Sequence, residues 1–562
     1  MNLNLKKPPS GLPLTVLNPG KILVCGFLLV LAACGNRGTA KTPPIDQAPQ
    51  SVEGRIHIGT PENVGPRPYS EATINHGMGS PWDSLNPYES GTMYGQWIID
   101  KIFDRLAVTS AGGLIIKPRA ADSWENADGG KAIIFHLNKN SKWHDGVPAT
   151  ARDWVFTVNL ITHPDTLLAR GSFFNFLEGT DEKGKALSPG SPKAEALDDY
   201  TLKLTLKTIT IPENFLITNR YFVALPEHLL KDVKPAELRS VEFWKNPVGS
   251  GPCIFEFELV GSQIILKANR DYHLGSPGFG TLISTVMSNR NSVPSFIAGD
   301  VDIFGFSNMI SADDRQVLEQ SGFIVIDALA KTSFSEIALN NKTIPSPDVR
   351  LALHYALDKH VLSQMRTQGF GVPTVSSVMP GSEYYNRDLK IERDVEKAKE
   401  LLKKGGYDGR VYTFATDQGR AEIAAVVQQQ WAETGFKVEI FMTDAATMLA
   451  GLRDGKFDIG NPGHSATADP LWYLSQISST SSNYTHPSDT KFDTLAEAIQ
   501  NELDPENRKK LIWEFQAYVA EQTPWIPLWH QGPQLAISKT VQNIDYNAGQ
   551  MMSDNTWEWY KP

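Results

Sequence analysis

From Tyr200 to Lys207 the chain reads YTLKLTLK, with apolar and polar residues in strict alternation. A period of two predicts a strand that buries one face. In TARDWVFTVNLITH (150–163) the apolar residues instead recur at helical spacing, behind Thr150 as N-cap with Asp153 three residues on. That arrangement is a relative of the capping box and predicts a helix. Residues 411–460 join the two periods. VYTFAT reads as a strand, GRAEIAAVVQQQWAETG as an amphipathic helix closed by Gly435, FKVEIFM as an alternating strand, ATMLAGLRDG as a second helix and FDIG as a short strand. The order βαβαβ is the unit of a parallel sheet, so the expected fold class is α/β. Ligands of such sheets sit outside the carboxyl ends of the strands. The loops DQGR (417–420) and NPGHSATADP (461–470) are therefore candidate pocket walls, with ordinary surface connections as the alternative.

Other patterns read as scaffold. SPDVRLALHYALDKHVL (346–362) puts Val349, Ala352, Leu353, Ala356 and Leu357 on one helical face, and His354 and His360, six residues apart, on different ones, so no metal pair is expected there. WHDG (143–146), with Pro148 following, is turn chemistry leading to the Thr150 cap. Asp504-Pro505 supplies an N-cap and a first helical residue for a long helix.

A chain of 562 residues exceeds what one core usually serves, so two or more lobes are expected. Near its start an uncharged apolar run, Ile22 to Ala33, follows Lys21 and ends in LAACG. The run is too short to span a bilayer, which takes about 20 apolar residues. It has the layout of a secretory signal. Leu-Ala-Ala-Cys resembles the bacterial lipobox, which implies removal of residues 1–33 and acylation of Cys34; a plain signal with a chance cysteine, or a short buried segment, is the alternative. Residues 34–54, rich in Gly, Pro, Thr and Gln, would form a flexible tether, leaving an extracytoplasmic, membrane-anchored globule. The formal charge of −10 becomes −13 without Lys6, Lys7 and Lys21, which argues against nucleic acid as a partner. With Cys25 removed and Cys34 acylated, Cys253 stands alone, so no internal disulfide is expected and the thiol reads as a small buried side chain. There is no G-x-S-x-G elbow, H-E-x-x-H, P-loop or G-x-G-x-x-G, so a hydrolase using Ser, His and Asp is the weaker reading, and neither cofactor nor metal is expected.

The stretch from Ile102 to Thr157, with PRAADSWE, IIFHL and WHDGVPATARDWV in that order, resembles a block of the dipeptide- and oligopeptide-binding proteins of ABC importers, the family 5 solute-binding proteins. Later segments follow in the same family order, among them NPVGSGPCIFE, LKANRDYHLG, FIAGDVDI, NNKTIPSPDVRLALHYALDKHVL, WAETGFKVEI and EFQAYVAEQTPWIPLWH. The resemblance covers nearly the whole chain beyond the leader. It implies a two-lobed periplasmic-binding-protein fold of class II, with an enlarged, discontinuous first lobe (51–282 and 525–562), a second lobe (283–524) and a hinge of two crossing strands. It also implies a monomer that captures a small solute or peptide and delivers it to the transmembrane subunits of a permease. Oligosaccharides and opine-like conjugates are the alternative ligands.

In dipeptide-binding relatives an arginine near the start of the helix before WAETG takes the ligand carboxylate, which points to Arg420. Peptide-binding relatives carry an amine-clamping aspartate shortly before the D/E-P of the motif that GHSATADP resembles. Here His464, Ser465 and Thr467 occupy the stretch, and Asp469 matches the D of D-P, as a substitute acid or a turn residue. NPYESGTMYGQW (86–97) resembles the ligand-facing loop of the first lobe, implying contacts from Ser90, Gly91, Thr92 and Tyr94. Trp97 and Trp472 are candidate stacking surfaces.

Overall fold

The computed structural model describes residues 68–110, 115–287, 289–306, 310–327, 333–466, 484–532, 534–544 and 555–562. The leader, Cys34, the tether, Thr467, Asp469 and Trp472 lie outside the described residues. Two large sheets organise the rest. In the first, Thr73–Met78 is central, with Thr281–Val286 and Ile303–Phe306 parallel to it on either side. The second is built on Ser333–Leu339, which lies between Trp525–Gln531 and the strands Ile459–Gly460 and Gly463–Ser465.

The chain passes between the sheets twice, after Phe323–Asp327 and between Trp525–Gln531 and Gln534–Ser538. These two crossings are the links between the lobes. They also differ from the expected boundaries. Ile303–Phe306 and Phe323–Asp327 hydrogen-bond into the first sheet through Gln534–Ser538, although they follow residue 282. Trp525–Gln531, expected in the first lobe, pairs with Ser333–Leu339 in the second. Local periodicity marks strands but not their partners, so long-range pairing sets the boundary.

The enlargement of the first lobe is an antiparallel sheet in the order Ala121–Ala127, Ala132–Leu137, Thr201–Thr205, Ala194–Asp198. The alternating stretch is its third strand, with Leu202 and Leu204 fully buried. The helix Ala151–Thr162 starts as its sequence predicts: the Asp153 carboxylate accepts the Thr150 backbone N–H at 2.8 Å. Its other oxygen accepts Glu227 N–H at 3.0 Å, tying the cap to a distant turn. The WHDG segment is scaffold too: Gly146 has φ +91°, and both ring nitrogens of His144 bond backbone, to Gly251 O at 3.0 Å and Gly249 N at 3.2 Å. Burial pushes the His144 imidazole down to about 4. Cys253 is buried, and burial pushes its thiol up to about 12, the environment of an inert packing residue.

Residues 411–460 form the expected βαβαβ unit: Val411–Thr416, Ala421–Ala432, Lys437–Met442, Ala445–Arg453 and Ile459–Gly460. Val411–Thr416 runs parallel to both of its neighbours. Gly435 closes the first helix at φ +90°, a conformation that favours glycine. Trp431 anchors the helix by full burial against Phe414 and Phe436 and by donating to Leu353 O at 2.9 Å. The 346–362 segment forms two helices, Pro347–Tyr355 and Lys359–Thr367, the second capped by Asp358. All five apolar residues expected on its buried face are buried.

Candidate functional site

Val411–Thr416 is followed by Lys437–Met442 on one side and flanked by Ile459–Gly460 on the other, so the strand order switches there. The loops leaving the switch diverge and open a crevice at the strands' carboxyl ends. A cavity of about 330 Å³ occupies this position. Arg420 and Asn461 line it from the two diverging loops, Glu336 and His464 from adjacent strands, Arg366 from the helix Lys359–Thr367 and Trp529 from a crossing strand.

Arg420 is the N-cap residue of Ala421–Ala432, so its guanidinium stands where the helix dipole favours an anion. Its Nη1 is ion-paired with Asp417, three residues earlier. Asn461 is buried beside it, and among the described residues its Oδ1 has no hydrogen-bond partner. A buried acceptor without a partner costs free energy until a donor arrives.

In the same cavity His464 Nε2 meets Glu336 Oε1 at 2.9 Å, with the side chains 12% and 5% exposed. Burial pushes the imidazole pKa down, but the Glu336 charge and hydrogen bond outweigh both that and the repulsion from Arg420, so the net shift is upward. The His464 ring also stacks on Tyr484, with centroids 5.6 Å apart. Glu336 reaches this place through a register shift between Ser335 and Glu336 against Trp525–Gln531. Pro527 lies opposite Glu336 and has no N–H for the ladder, a setting in which a bulge is the usual accommodation.

The structure therefore brings Arg420 and His464 together, adds Asn461 from the start of the loop read as a candidate wall, and adds Glu336 and Arg366, which sequence reasoning passed over. Glu336 had a signal, as the single charged residue of SFSEIAL. Asn461 had one in its place at the start of the loop 461–470, whereas Arg366 had none, because only the tertiary packing of its helix carries it to the cavity.

The first-lobe candidates do not line this cavity. Asp83 gathers them: its carboxylate accepts Ser90 Oγ at 2.8 Å, Gly91 N–H at 2.6 Å, and Thr92 Oγ1 and N–H at 2.7 and 3.2 Å. Partial burial raises the Asp83 pKa, but these donors outweigh it and hold the carboxyl below its ordinary range. Gly95 leaves the room, since a Cβ there would stand 2.2 Å from Ser90 Oγ. Tyr94 is half-buried against the lobe's core. Trp97 is 3% exposed, stacked on His76 at 4.0 Å with Lys101 Nζ 4.5 Å from its ring centroid. Neither indole face is open, which corrects the expectation of a stacking surface there.

No helix among the described residues is long and apolar enough to cross a membrane. No group of three or more His, Cys, Asp or Glu among them could hold a metal.

Among known proteins, the oligopeptide-binding protein AppA of Bacillus subtilis is 28% identical over 465 residues, covering 77% of this chain and 82% of the relative. Heme-binding protein A of Haemophilus influenzae is 27% identical over 532 residues, covering 89% and 92%. The crystal structure of the ABC transporter substrate binding protein CtaP from Listeria monocytogenes has the same fold, with a TM-score of 0.75 at 24% identity over 88% of this chain and 99% of that one. Residues 116–485 match the description "bacterial extracellular solute-binding proteins, family 5 Middle", about two thirds of the length, and the chain belongs to that family.

Proposed function

We propose that this protein captures peptides between its lobes outside the cytoplasm and delivers them to the membrane subunits of an ABC importer. The observation that carries this reading is the cavity at the switch point, where a guanidinium at a helix start lies beside a buried amide oxygen lacking a donor. A peptide end offers both complements, a carboxylate for Arg420 and an N–H for Asn461 Oδ1. A charge-assisted bond of this kind contributes about 1.5–3 kcal/mol. The peptide-binding relative supports the same ligand class. Capture uses the two strand crossings as a hinge, with the Asp83-organised loop on the facing lobe as the opposing wall. The binding cycle involves no covalent step. The protein works as a monomer, held at the membrane by acylated Cys34.

Native mass spectrometry of protein purified from a bacterial periplasm, with fragmentation of whatever co-purifies, tests the ligand class. A set of short peptides is expected. A sugar or a non-peptide conjugate in their place overturns the peptide reading.

A further inference from the structure

Charge in the cavity is unevenly compensated. Arg420 is ion-paired with Asp417. His464 is paired with Glu336, whose charge favours the imidazolium, and Arg420 and the Tyr484 ring are also beside it. Each of these charged groups therefore has a partner within the protein. Arg366 is the remaining charged residue of the cavity wall; it is exposed, and among the described residues no ion pair or hydrogen bond holds it. It comes from the helix Lys359–Thr367, away from both pairs in sequence.

While the site is open, water solvates this guanidinium. A ligand enclosed by the two lobes takes that water away, and an uncompensated charge in an enclosed site is expensive. A zwitterionic peptide cannot balance it, because its carboxylate and ammonium cancel one another. A ligand with one further carboxylate can, and the planar fork of an arginine matches a carboxylate in two-point contact.

We propose that Arg366 is a specificity-determining residue, which receives a second anionic group and selects ligands of net negative charge, such as peptides with an acidic side chain. The proposal rests on the peptide reading for its probes but not for its charge argument, so the test separates the two. Isothermal titration at pH 6 compares Ala-Ala-Glu, Ala-Ala-Gln, Ala-Ala-Lys and glutarate on the full-length protein and on Arg366→Gln and Arg366→Lys. Ala-Ala-Glu is expected to bind at least tenfold more tightly than Ala-Ala-Gln, and Ala-Ala-Lys more weakly than either. Arg366→Gln is expected to abolish the Glu-over-Gln preference, and Arg366→Lys to keep part of it. An unchanged melting temperature shows that the helix is intact.

Equal binding of the Glu and Gln peptides, or a preference that survives Arg366→Gln, overturns the role of Arg366 while leaving peptide capture standing. Glutarate binding that depends on Arg366, with no tripeptide bound, does the reverse. No binding by any probe overturns both.

Discussion

At the scale of single residues, the cavity is governed by which charges are already paired. His464 is the clearest case, because its partner Glu336 was not foreseen and changes what the histidine does. Its folded-state pKa lies above the unfolded value of about 6.5. The stability it contributes is therefore fully present below about pH 6.5 and is lost as pH rises through the folded value. Urea unfolding of the wild type and His464→Gln is expected to show the wild type's advantage at pH 6 and a smaller one at pH 8.5. An advantage that grows with pH would refute the pairing. Arg420 was legible through the family resemblance, and its place at a helix start, where the dipole favours an anion, is a local signal that agrees with it. Glu336 was legible only as an acid in a strand, and nothing in its neighbours said that a register shift would turn it toward a histidine 128 residues away.

Among elements, the helix Met93–Ile102 shows how one side chain fixes a segment. Arg119 is buried and donates to Asp100 Oδ1 at 2.8 Å, to Asp100 O at 2.7 Å and to Asp104 Oδ1 at 2.7 Å. Asp104 also accepts Tyr272 O–H at 2.8 Å, so the network ties the helix end to a loop far along the chain. Burial raises the Asp100 pKa, but Arg105, Arg119 and Lys101 outweigh it and hold the carboxyl well below the usual carboxylate range. Removing Arg119 would leave two buried carboxylates without the guanidinium that bridges them. Arg119→Ala is expected to cost about 3–5 kcal/mol in urea unfolding, the range for breaking a buried pair. A loss below 1 kcal/mol would mean that Lys101 and Arg105 suffice. The same helix carries Trp97 on its buried side, which is why an indole that looked available in sequence is closed. Helices, caps and the βαβαβ order followed from period and end signals. The split of 346–362 into two helices had a local signal as well, in Asp358 as the second N-cap.

For the whole molecule, the proposed function gives capture and location separate physical origins. In that proposal closure bends the two crossings, whereas retention depends on the acyl chains proposed at Cys34. A single chain binds a bilayer marginally and two or more hold stably. Cys34→Ser is expected to move the protein from the membrane pellet to the soluble fraction with ligand binding unchanged; a variant that still pellets after a high-salt wash would exclude the lipid as anchor. The sequence alone determined the α/β class, the alternating strand, the helix caps and the parallel unit at 411–460. All of these arise from interactions within a few residues, which periodicity and end chemistry report. Only the tertiary structure decided where the lobes divide, that Trp97 is closed, and that Glu336, Arg366, Asn461 and His464 share one cavity with Arg420. Those outcomes depend on pairings between strands and helices far apart in the chain, whose register is set by burial and backbone hydrogen bonding across the sheet.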